Sequence, residues 1–110
     1  SLYIHSSRGY TRSGEIKPEL AAPGVGISAV AKNGDLTSVT GTSAAAALTA
    51  GAAALLVDWR LEGNPRHLMT SSELKNFLIR GAGRSRDLTY PNRSWGYGTL
   101  NVYGVFESLL

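Results

Sequence analysis

Cysteine is absent from this 110-residue chain, so neither a disulfide nor a thiolate zinc site can form. Histidine is nearly absent. His5 and His67 are the two, far apart in sequence and without cysteine partners, which is a poor basis for a metal site. Acidic residues are the minority, 8 against 11 Lys and Arg, for a formal net charge of +3. Arg80, Arg84, Arg86 and Arg93 gather in the later part. A nucleic-acid surface needs denser basic charge with interleaved aromatics, and aromatics make up only 8% of this chain. The arginines therefore read as a solvated face, and no nucleic-acid partner is expected. Long apolar runs are also scarce. The one extended example, Ala44 to Val57, is too short to span a bilayer and is interrupted by Asp58. It is expected to be a buried helix rather than a membrane span. No internal repeat is visible, and the first residues, from Ser1, show no signal-peptide pattern. The length suffices for one small domain with a core.

What the chain does have is the stretch Gly41-Thr42-Ser43 followed by a run of small apolar residues. Eight of the 13 residues from Ala44 to Leu56 are alanine. Alanine is the best helix former, so a helix is predicted from about Thr42 to about Leu61. Gly41 permits a sharp or left-handed turn before it. Ser43 then falls in the first helical turn, where unpaired N–H groups and the positive end of the dipole converge. That is a suitable place for a nucleophile that must hold an oxyanion beside it. The same residues also suit a simpler role, because Thr42 or Ser43 can be an ordinary helix cap. An alanine-rich helix buries little area per residue but allows very close packing. A chain this short seldom spends its longest helix that way, so the helix fits better at the centre of a larger domain.

The flanks supply the context. Leu2-Tyr3-Ile4 is a candidate strand, and Ser6 to Gly14 reads as loop. Pro18 and Pro23 hold extended or turn backbone around a short, tightly packed strand at Ala21-Ala22. Gly24-Val25-Gly26 allows close backbone approach. These glycines and prolines shape the surroundings without doing chemistry. Ile27 to Ala31 and Leu36 to Thr40 read as two strands joined at Asn33-Gly34, a strong hairpin signal. The hairpin delivers the chain to Gly41, a strand-to-helix turn of the kind that presents nucleophiles in several hydrolases. Gly63-Asn64-Pro65 should end the long helix. A second helix is predicted from about Ser71 to Arg80. Thr70 or Ser71 caps it, Glu73 lies in its first turn, and Leu74, Phe77, Leu78 and Ile79 form its apolar face. Gly81 to Asn92 reads as loop, and Trp95 and Tyr97 as packing residues. Asn101 should cap a last helix to about Leu109, with Val102, Val105, Phe106 and Leu109 as its buried stripe.

Two linked motifs, "I-K-P-E-L-A-A-P-G" at Ile16 to Gly24 and "G-T-S-A-A-A-A-L-T-A-G-A-A-A-L-L" at Gly41 to Leu56, resemble the C-terminal part of subtilisin-like serine proteases, the subtilases. The likeness covers most of the chain and extends to "S-S-R-G" at Ser6 to Gly9 and to Ser94-Trp95-Gly96-Tyr97-Gly98. It implies an α/β fold, the C-terminal portion of a three-layer domain with a mostly parallel sheet between helices. In that fold the alanine-rich helix runs through the centre. It also implies that residues 1–110 are a C-terminal segment of the catalytic domain. By the same resemblance Ser43 is the nucleophile of a serine endopeptidase, with the backbone N–H of Ser43 and the neighbouring Thr42 in the oxyanion turn. The substrate would be a protein or peptide. No organic cofactor is implied. Calcium, frequent in the family, has no placeable site here.

A serine hydroxyl needs a base to take its proton, usually a histidine oriented by a carboxylate. Subtilases carry these in the order Asp, His, Ser. The chain is therefore expected to begin after both partners and after the oxyanion asparagine. His5 lacks the His-Gly-Thr context of the family's base, and His67, Asp35 and Asp58 lack any matching context. The segment alone is expected to be inactive. It would depend on the remainder of the protease for Asp and His, or pair its exposed helix in a homodimer. The family motif usually reads G-T-S-M-A-x-P-H, whereas Ala44, Ala47 and Leu48 stand here for Met, Pro and His. With "L-I-R-G-A" and "Y-P-N-R-S-W-G-Y-G-T-L-N-V-Y", this resembles clostridial subtilases. That group includes germination-specific proteases that activate a spore cortex hydrolase precursor, which implies an extracytoplasmic, secreted or spore-associated setting. Two other readings stay open: a pseudoprotease that binds a partner without cleaving, and a small self-contained α/β binding module.

Overall fold

A computed structural model describes residues 1–63 and 68–110. The predicted end of the long helix at Asn64-Pro65, and His67, lie outside the described residues. The order is β1 (Ile27–Val30), β2 (Leu36–Val39), α1 (Thr42–Gly63), α2 (Ser71–Arg80) and α3 (Val102–Leu109). This is a mixed α/β arrangement.

β1 and β2 form an antiparallel hairpin with Ile27 opposite Val39 and Val30 opposite Leu36. Its turn is closed by Gly34 N–H to Ala31 O at 2.9 Å and by Ala31 N–H to Asp35 O at 2.6 Å. Asn33 Oδ1 also accepts the Asp35 N–H at 3.1 Å, a local bond of the kind that suits Asn to turns. The parallel component is a single bridge between Ala21 and Thr99. Ala21 N–H donates to Gly98 O at 3.0 Å, and Leu100 N–H donates to Ala21 O at 2.7 Å. Ala21-Ala22 is therefore one rung of pairing, half-buried, rather than the closely packed strand expected. Leu2-Tyr3-Ile4 is not a strand. The chain turns at Ile4-His5, and the Ile4 side chain is exposed, because no neighbouring strand among the described residues pairs with it.

The core lies where the three helices meet. Leu56 of α1, Leu78 of α2 and Val105 of α3 are buried against one another, with Leu74, Phe77 and Phe106 packed around them. Each such side chain contributes about 1.5–3 kcal/mol by leaving water. Trp59 meets Phe106 edge-on at 6.0 Å between ring centres, and the Arg60 guanidinium pairs with Glu73 at 3.4 Å. Helix α2 starts with a full capping box: the Thr70 side chain accepts from Glu73 N–H, and the Glu73 side chain reaches back to the Thr70 backbone. Helix α3 starts on Asn101, whose Oδ1 accepts from Gly104 N–H at 2.9 Å. Gly81 ends α2 and lets α3 come very close, since a Cβ there would run into the backbone of Val105.

The N-terminal half of α1 has no such cover. Only Ala52 and Leu56 are buried along its 22 residues, and Leu48 and Leu55 are 40% and 55% exposed. Between Ala44 and Val57 the helix is apolar on every side except at Thr49, a pattern that belongs inside a large core or a membrane. By length and composition alone it could cross a bilayer, with a mean hydropathy of 1.3 over its best window. It is longer than the Ala44 to Val57 run because Trp59, Leu61 and their neighbours continue it past Asp58. The accessible surface is 7666 Å², against about 5800 Å² for a closed monomer of this mass. The radius of gyration is 15.3 Å, against about 13 Å for a compact domain of this length. The uncovered part of α1 and the hairpin, whose second strand is exposed throughout, contribute to this.

Gly81→Ala is expected to destabilise the chain by about 3 kcal/mol, at the upper end of overpacking costs, because the obstacle is backbone; chemical denaturation would measure it. Glu19 gives a pH-dependent expectation. Its carboxyl bridges Lys17 at 2.9 Å and Lys75 at 3.0 Å. Burial pushes its pKa up, but the hydrogen bonds and charges of the two lysines outweigh burial and hold it below the usual carboxylate value. A carboxylate lowered in the folded state contributes stability above its unfolded pKa and loses it as pH falls through the folded value. Glu19→Gln should therefore cost stability at neutral pH, with the difference from wild type vanishing in acid. An equal difference at all pH values would show that the lysine bridge is not responsible.

Candidate active site

Ser43 occupies the position the sequence points to. Gly41 sits between β2 and α1 with φ of +149°, a backbone region that side-chain-bearing residues rarely adopt. Its carbonyl accepts from Ala44 N–H at 3.1 Å and Ala45 N–H at 3.4 Å, which closes the first turn of α1. Thr42 and Ser43 are the first two helical residues, and both are exposed. Their N–H groups are among the four that a helix leaves unbonded at its start. No acidic side chain lies in that first turn to offset the positive end of the dipole. The arrangement can therefore present a hydroxyl and an adjacent backbone N–H to one incoming group.

The turn is held from below by the Ala-Pro-Gly motif. Gly41 N–H donates to Gly24 O at 2.7 Å, and Gly26 N–H donates to Thr40 Oγ1 at 2.9 Å. A Cβ on Gly24 would lie 2.8 Å from Gly41 O and 3.3 Å from the Ala45 Cβ. The close approach at Gly24 agrees with the reading of Gly24-Val25-Gly26 as a site-shaping element. The part played by Thr40 was hidden, because a threonine ending a strand looks like ordinary β propensity.

The other candidates are dispersed. His5 is exposed and meets Tyr3 edge-on at 5.3 Å. Asp35 lies in the hairpin turn, where it accepts from Asn33 Nδ2 at 3.1 Å. Asp58 is exposed on α1, and His67 is outside the described residues. Among the described residues no histidine or carboxylate is hydrogen-bonded to Ser43, and no three His, Asp or Glu residues cluster as metal ligands. Alongside the N-terminal half of α1 runs an open hollow of about 1100 Å³, bordered by Tyr10, Ala21, Gly24, Ala45, Thr49 and Trp95. Trp95 thus borders this space rather than packing in a closed core.

The structure of the CspB protease of Clostridium perfringens superposes with a TM-score of 0.90 at 34% identity, covering 98% of this chain and 23% of that one. The prenylagaramide maturation protease PagA superposes with a TM-score of 0.66 at 26% identity, covering 88% of this chain and 35% of that one. The chain thus spans about a quarter to a third of the length of these proteases. No curated protein matches it. The fold is that of a portion of a subtilase, and the likeness extends to the Csp type. The model of the Subtilase family matches residues 1–98, and the chain belongs to that family.

Proposed function

We propose that residues 1–110 are the C-terminal, nucleophile-bearing segment of a subtilisin-like serine endopeptidase. The observation that carries this is the placement of Ser43: exposed, in the first turn of α1, two residues after Gly41, whose positive φ turns the chain from β2 into the helix. The membership in a family of proteases and the likeness to two proteins described as proteases support it. The substrate is a protein or peptide.

In this reading Ser43 Oγ attacks the scissile carbonyl carbon while its proton passes to a histidine supplied by the remainder of the protease. The carbonyl oxygen becomes an oxyanion that the Ser43 N–H helps to hold. Collapse breaks the C–N bond, and the amine leaves with the proton from the histidine. Water then hydrolyses the ester on Ser43 and restores the hydroxyl. No step of this sequence requires an organic cofactor. The uncovered half of α1 and the hollow beside it are where that remainder packs. The large accessible surface favours this over a self-contained binding module. Ala44, Ala47 and Leu48, in place of the Met, Pro and His usual in the family, leave α1 regular from Thr42 onward. The nucleophile turn is therefore compatible with activity.

The test is intact-mass analysis after treatment with a fluorophosphonate probe. The full-length protease should take one adduct, mapped to Ser43 and abolished by Ser43→Ala. The isolated 1–110 chain should take none and hydrolyse no peptide. A full-length protein that folds yet leaves Ser43 unlabelled would replace this reading with the pseudoprotease. Turnover by the isolated chain would refute the division of the triad.

A further inference from the structure

The residue that begins the nucleophile turn is bonded in two directions at once. Through its N–H, Gly41 is tied at 2.7 Å to Gly24 O, and through its C=O it accepts from Ala44 N–H at 3.1 Å in the first turn of α1. One residue earlier, Thr40 Oγ1 accepts the Gly26 N–H at 2.9 Å. The two bonds close the neck of the β1–β2 hairpin immediately before Ser43. Gly24 has no room for a side chain, because a Cβ would press on Gly41 O at 2.8 Å and on the Ala45 Cβ at 3.3 Å. Thr40 is exposed, so its side chain adds nothing to the core. What it supplies is a hydrogen-bond acceptor at a fixed place.

We propose that Gly24 and Thr40 are positioning residues for Ser43, which rests on the reading of Ser43 as the nucleophile. The strand leading out of the Ala-Pro-Gly motif and the strand leading into the turn are clamped together. Helix α1 therefore starts at one place and one angle. A change at either residue lets Gly41 move, and Gly41 carries the first turn of α1 with it. Neither residue touches the reacting atoms. Their effect is on how often Ser43 Oγ lies in line with its base and the carbonyl carbon. Displacements on the order of 1 Å at such a group can lower a rate about a hundredfold.

The experiment measures fluorophosphonate labelling of Ser43 in the full-length protease, following both the rate and the final labelled fraction, with thermal unfolding in parallel. Thr40→Val keeps the shape and removes the acceptor; it should slow labelling about tenfold, the equivalent of roughly one hydrogen bond, with the labelled fraction unchanged and the melting temperature lowered by no more than a few degrees. Thr40→Ser restores the oxygen and should label within about twofold of wild type. Gly24→Ala should slow labelling about a hundredfold. A purely structural role gives a different result: the labelled fraction falls with the melting temperature, while the molecules that remain folded react at the wild-type rate. That outcome overturns the proposal, as does Thr40→Val labelling at the wild-type rate. Should Gly24→Ala fail to fold, the Thr40 pair decides. Wild-type protein that folds but takes no adduct on Ser43 overturns the nucleophile reading, and the positioning role with it. Labelled wild type with an unaffected Thr40→Val overturns positioning alone.

Discussion

The contact on which the structure depends is the meeting of Leu56, Leu78 and Val105, one residue from each helix. It fixes α1 by its C-terminal half only. Trp59 against Phe106 and Arg60 beside Glu73 reinforce the same end. Everything N-terminal to Ala52 is held by the chain's own turn and by the Ala-Pro-Gly strand rather than by a core. The result is a helix gripped at one end and presenting Ser43 at the other. That arrangement explains why so alanine-rich a helix exists in so short a chain. Small side chains let several neighbours approach closely on all sides, and among the described residues only Ala52 and Leu56 of α1 are buried.

The two ends of α1 show two ways of fixing a backbone. At the C-terminal end the means is burial, which is insensitive to direction and proportional to area. At the N-terminal end the means is hydrogen bonding: Gly41 to Gly24 and Gly26 to Thr40. Such bonds add little net stability, about 0.5–1.5 kcal/mol each. They do specify direction, which burial does not. The polar clamp lies beside Ser43 and the apolar grip lies far from it. The missing side chain at Gly24 belongs to the same design, because only bare backbone can come near enough to make the bond.

What the sequence made legible follows the same line between local and distant. The hairpin, the helix starts at Thr70 and Asn101, and the apolar stripes of α2 and α3 depend on residues within a turn or two of each other, and the structure has them where the pattern placed them. Helix α1 is described to Gly63, two residues past the predicted Leu61 and within the Gly63-Asn64-Pro65 stretch expected to end it. The misplaced elements are the ones whose partners are remote. Among the described residues, Leu2-Tyr3-Ile4 has strand composition but no strand beside it, and Ala21-Ala22 pairs only with Thr99, far along the chain. The turn at Gly41 and the place of Ser43 in the first turn of α1 were readable from a local turn-then-helix pattern. The bond from Gly26 to Thr40 spans the whole hairpin, and no local pattern announces it.

Function divides in the same way. A serine at the head of a helix can be placed by local sequence, since the turn, the helix and the unbonded N–H groups come with it. Its reactivity cannot, because a base must meet it from a part of the fold distant in sequence. His5, Asp35 and Asp58 illustrate the point. Each is a residue type that could serve in a triad, and each is spent elsewhere: beside Tyr3, in a hairpin turn, or in solvent on the far half of α1. The departures at Ala44, Ala47 and Leu48 sit within the first two turns after Ser43, yet the helix keeps its geometry through them. Their exposed positions at Ala47 and Leu48 face whatever covers α1. Under the proposal that Ser43 is the nucleophile, the consequence of those substitutions falls on how covering elements pack rather than on the turn that presents Ser43.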